Sequence, residues 1–151
     1  MVRMFSRFIL GAVIAVACTA CEAPYKKKDA EDKQPLKNQA GDQNFQAFVG
    51  RLRIAVAKRD HATLAGMMTG DFGYRWDTPP PGESIFQYWD LHDLWPVLEG
   101  ILREKFVPSD LYMVAPPQVV LDPNYSGYRA GIRTVGGSWK FAYFVPAEGA
   151  E

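Results

Sequence analysis

The sequence predicts an α+β fold, with N-terminal helices packed on an antiparallel sheet that ends in a C-terminal β-hairpin. Three patterns carry this. Phe45, Phe48, Val49, Leu52 and Val56 recur at helical spacing and make one apolar stripe. Near the other end, Tyr128, Ala130, Ile132 and Thr134 alternate with Arg129, Gly131 and Arg133. Trp139, Phe141, Tyr143 and Val145 then alternate with Lys140, Ala142 and Phe144. Gly136-Gly137 lies between these runs and supplies the positive φ of a tight hairpin turn. Helices first and strands later indicate helices gathered on one face of a sheet.

The first helix is expected to start near Asn44, where Gly41-Asp42-Gln43-Asn44 offers capping oxygens. Asp60 is expected to cap a short second helix with Leu64, Met67 and Met68 inward, ended by Thr69-Gly70-Asp71. Residues 72–76 (FGYRW) read as a strand with Phe72, Tyr74 and Trp76 on one face. The three prolines of residues 77–82 (DTPPPG) lack amide donors and require a stiff extended loop. Residues 84–90 suit a helical turn rich in aromatics. Asp93 can cap the next helix, with Pro96 in its first turn, where a missing donor costs little. Leu94, Val97, Leu98, Ile101 and Leu102 form its inward stripe, and Glu99 and Arg103 an exposed i,i+4 pair. Residues 111–121 contain a strand-like run on each side of Pro116-Pro117, so a kink or sheet edge is expected there.

The N-terminus has its own pattern. Arg3 and Arg7 precede a ten-residue apolar run, FILGAVIAVA, too short to span a bilayer and suited to the core of an export signal. Its end, Ala15-Val16-Ala17-Cys18, resembles the lipobox of bacterial lipoproteins. The resemblance implies a signal peptide over residues 1–17 and a lipid on Cys18; Cys21 is the alternative. It implies a membrane partner through covalent lipid, palmitate or a similar acyl group, without a transmembrane helix. The location implied is the cell envelope, at the outer membrane if the host has one. Residues 18–44 then form a polar tether. Between Thr19 and Asn44, five lysines meet five acidic residues and large aliphatics are nearly absent. As a random coil this reaches roughly 30 Å. Residues 45–148 form the single α+β domain.

Charge excludes one class of partner. Setting aside Arg3 and Arg7 from 17 basic groups leaves 15 against 17 acidic ones, with no concentrated basic face. Nucleic acid is therefore not expected. Lys26-Lys27-Lys28 is followed at once by acidic residues and reads as a solvated run. With both cysteines at the N-terminus and only two histidines, His61 and His92, neither a zinc site nor any other cofactor is expected. Asp90, His92 and Asp93 cluster in sequence, but their spacing suits helix ends better than a metal. No phosphate loop, HExxH or GxSxG is present.

The segment FQAFVGRLRIAVAKRDHATLAGMM and the final GYRAGIRTVGGSWKFAYFV resemble the start and the last hairpin of NTF2-like, or cystatin-like, domains of exported bacterial proteins. The middle, residues 77–104, departs from that family in being helical and aromatic. The resemblance implies a conical apolar pocket. Enzymes of that fold place an aspartate with a tyrosine or histidine inside it, roles that Tyr74, Asp77 and Tyr88 could fill. A fold-level likeness alone gives no reaction. The reading taken is a membrane-anchored lipoprotein with a non-enzymatic binding or envelope-associated module. The alternative is a small-molecule enzyme or carrier with a buried Asp or His. Tyr74, Trp76, Phe86, Tyr88, Trp89 and Trp95 are the candidate ligand groove; large aromatics of this kind also build small cores.

Overall fold

A computed structural model describes residues 42–148, so Cys18, Cys21, the signal and nearly all of the tether lie outside the described residues. In chain order the elements are α1 (Gln43–Ala57), α2 (His61–Met67), β1 (Met68–Gly73), α3 (Ile85–Leu91), α4 (Trp95–Arg103), β2 (Val107–Ser109), β3 (Tyr112–Ala115), α5 (Gln118–Leu121), β4 (Arg129–Val135) and β5 (Ser138–Val145). The fold is α+β, with a five-stranded sheet in the order β1-β5-β4-β3-β2.

The local signals act as expected at several points. Asp42 caps α1 by accepting from the Asn44 amide at 2.7 Å. Asp60 caps α2 by accepting from the Thr63 amide at 3.1 Å and the Thr63 hydroxyl at 2.7 Å. Gly136 (φ 57°) and Gly137 (φ 76°) turn the β4–β5 hairpin. Ser84 begins α3 with a capping box completed by Gln87.

Elsewhere tertiary context overrode the local reading. The sheet is mixed, because β1 runs parallel to β5 while the other pairs are antiparallel. The chain leaves β1, builds three helices and three strands, and returns beside β1 only with β5. Thr69, Gly70 and Asp71 belong to β1, which follows α2 without a loop and stops at Gly73; Trp76 lies beyond it. Asp93 adopts φ 49° and does not cap α4, whose N-cap is Leu94. Trp95 takes the buried place expected of Val97, which is exposed. Val107–Ser109, too short to show a period, pairs with β3 through a turn at Asp110 (φ 50°). After Pro116-Pro117 the chain forms α5, not a second strand.

One irregularity decides the faces of β5. Gly131 pairs with Tyr143 and Ile132 with Phe141, leaving Ala142 as an extra residue. A single inserted residue in a strand reverses the facing of all that follow. Trp139 and Phe141 before the bulge, and Phe144 after it, pack into the core, while Tyr143 and Val145 turn to the opposite face. The core lies between this sheet and α1–α4. Trp89 is central to it, 5.0 Å from Trp95 at 89° and 5.6 Å from Phe144 at 82°.

Candidate functional site

The six aromatics expected to line one groove are separated by the fold. Trp89 and Trp95 are almost fully buried and form core, which corrects the expectation for both. Burying two indoles against Phe144 and the helices removes large apolar area from water, which outweighs leaving them at a rim. Phe86 is half-buried, parallel to His61 at 4.2 Å and edge-on to Trp89. Tyr74 is buried and Tyr88 half-buried; their rings meet edge-on at 5.3 Å. Trp76 alone is well exposed, at 59%. Its Nε1 donates to the Pro146 carbonyl at 3.0 Å, so the ring is held in place.

The candidate acids and bases are all at the surface. Asp77, Asp90 and His92 are exposed, so none is the buried group that a conical catalytic pocket would require. Asp90 accepts from Trp95 Nε1 at 2.8 Å, and Asp77 is held by the Arg75 guanidinium. The guanidinium keeps the Asp77 carboxyl below its ordinary range. Arg75 also donates to Glu83 Oε2 at 2.8 Å, the same oxygen that accepts from Tyr74 OH at 2.9 Å. Burial, with the Glu83 carboxylate, raises the Tyr74 phenol above its ordinary value. Arg75 further covers the Tyr88 ring at 5.1 Å. Among the described residues no three metal-ligating side chains group together.

The helices cover one face of the sheet, and the other face is built differently. Alternation puts Arg129, Gly131 and Arg133 of β4 there, because Ala130 and Ile132 fill the core. The bulge adds Tyr143 and Val145, and β3 adds Tyr112. Tyr112 and Tyr143 meet edge-on at 5.3 Å. Arg133 donates to both oxygens of Asp71 on β1, at 2.9 and 2.8 Å. Tyr143 lies over Gly131, where any Cβ would collide with its ring. Burial raises its phenol to about 12. Beside this ledge is a pocket of about 280 Å³ lined by Gly73, Arg75, Trp76, Arg129, Tyr143 and Val145. Arg129 has no carboxylate partner among the described residues, and its Nε is buried without a hydrogen bond.

Of the expected groove, only Trp76 joins this pocket. Arg129 and Tyr143 were visible in the sequence as members of an alternating strand pair. Their common face depends on the bulge, which no local pattern announces. The fold and site define a class: a small α+β domain whose open sheet face carries an aromatic and arginine ledge. No family model, curated protein or solved structure matches this chain.

Proposed function

We propose that this chain is an exported lipoprotein, lipidated on Cys18, whose domain is a non-enzymatic binding module using the open face of its sheet. The observation that carries the binding role is the pocket where a fixed, exposed Trp76 meets Tyr143 and an Arg129 with no carboxylate partner among the described residues. Binding sites combine apolar walls with a few placed polar groups, and this pocket has that makeup. The lipoprotein reading rests on the basic leader, the ten-residue apolar run and Ala15-Val16-Ala17-Cys18. It is compatible with the absence, among the described residues, of any helix long and apolar enough to cross a membrane. An NTF2-like ancestry is supported by helices before a sheet that closes with a glycine-turned strand pair.

Two experiments test this. Mass spectrometry of the native polypeptide should find an acylated N-terminus at Cys18, and Cys18→Ser should move the protein from the membrane fraction to the soluble one. A polypeptide still starting at Met1 with unmodified sulfurs overturns the anchor. For the domain, an NMR fragment screen should place its hits at Gly73, Trp76 and Tyr143. Hits confined to other surfaces overturn the binding role.

A further inference from the structure

The chemistry of the pocket narrows the ligand; this step rests on the open face being the binding surface. We propose that the pocket takes a carboxylate attached to an apolar group, with the carboxylate on Arg129 and the apolar part against Trp76, Tyr143 and Val145.

Three arginines stand on or beside this face and are engaged differently. Arg75 is spent: its guanidinium is shared between Asp77 and Glu83 and packed on Tyr88. Arg133, further along the same face, is neutralised by Asp71. Arg129 is half-buried on β4, paired with no carboxylate among the described residues. Across the pocket it faces Arg75 with its two carboxylates, and beside it lie the phenols of Tyr143 and Tyr125, both neutral at ordinary pH. The Nε itself is closed to solvent, but the Arg129 side chain lines the pocket with no carboxylate on it, and a ligand carboxylate arriving there supplies the missing counter-charge. The fork of a guanidinium matches a carboxylate with two parallel hydrogen bonds. Because Arg75 with its two carboxylates carries a net charge of −1, attraction to Arg129 is short-range and geometric, not the field of a basic patch.

The rest of the lining sets the other half of the ligand. Trp76 is oriented by its bond to Pro146, and Tyr143 is held over Gly131, so the walls are rigid before binding. Gly73, which lacks a side chain, and Val145 complete the lining against which an apolar body would lie. A volume of about 280 Å³ suits one ring or one large side chain with its carboxylate. Such a group exists as a free aromatic acid and as the C-terminal residue of a peptide.

The test uses the full-length lipidated protein in detergent micelles, with 3-phenylpropionate, its neutral amide, and a tetrapeptide ending in phenylalanine, free and amidated. The Trp76 indole N–H signal, assigned by its loss in Trp76→Phe, reports the pocket. Both acids are expected to shift it, and each amide to bind at least about tenfold more weakly. Arg129→Gln should lower acid affinity about tenfold, with Arg129→Lys retaining part of it and Arg103→Gln unchanged. Tighter binding of the free-carboxylate peptide assigns a peptide C-terminus; equal binding of the two acids assigns a free acid. Acid and amide binding alike at Trp76 overturns the carboxylate while leaving the face as a binding surface. No shift with any probe at millimolar concentration overturns the proposal and, with a fragment screen empty at this face, the binding role too. The acid–amide comparison needs no variant and holds even if Arg129 substitutions unfold.

Discussion

Gly131 and Tyr143 are one feature. The ring occupies the space above the glycine, so any side chain at position 131 must displace it. Gly131→Ala should destabilise the domain by about 1–3 kcal/mol, the usual cost of overpacking, as read by urea unfolding. An unchanged midpoint would show that the ring does not sit there. Tyr143 also gives a pH prediction. Burial raises its phenol from 10.0 to about 12, so the folded state holds that proton more tightly than the unfolded chain. The corresponding stability is complete below pH 10 and is lost as pH rises from 10 to about 12. Tyr143→Phe should remove its share of the alkaline decline. Tyr74, Tyr125 and Tyr128, also raised by burial, keep theirs. A decline of the same steepness in the variant would contradict this assignment.

At the scale of the element, the extra residue in β5 matters most. Were Ala142 an ordinary paired residue, unbroken alternation would direct Tyr143 into the core and Phe144 out of it. Deleting Ala142 removes the bulge but keeps Tyr143 and Phe144 on their faces and against Gly131 and Ala130, so cooperative unfolding is expected to survive the deletion. Thermal melts followed by near-UV circular dichroism check this, and loss of the cooperative transition in the deletion would show that the face assignment is wrong. The helices depend more on local chemistry. Asp60 shows this, because the Thr63 hydroxyl and amide hold its carboxylate below its ordinary pKa. Such caps act within one turn and are legible in a short stretch of sequence. A strand's facing depends on its register against a neighbour, which is why the period in β5 misled beyond Ala142.

Across the whole molecule, Trp89 joins the helical layer to the sheet. It touches Phe72, Phe86, Trp95 and Phe144 while its Nε1 finds no acceptor among the described residues. Trp89→Ala should cost about 3–5 kcal/mol, a large part of the total stability of a small domain. Trp89→Phe should cost much less, since it keeps a ring and removes a buried donor without a partner. Equal losses in the two variants, measured by denaturant unfolding, would remove the unpaired donor from this account.

From the amino acids alone came the α+β composition, the caps at Asp42 and Asp60, and the glycine turn of the last hairpin. These are local: each depends on neighbours a few positions away and on the backbone freedom of one residue. The tertiary structure decided that β1 lies parallel to β5, that Trp89 and Trp95 are core, and that Arg129 and Tyr143 share an open face. Those outcomes depend on which distant surfaces meet, because an amphipathic ring or an alternating strand fits either side until packing and register choose one.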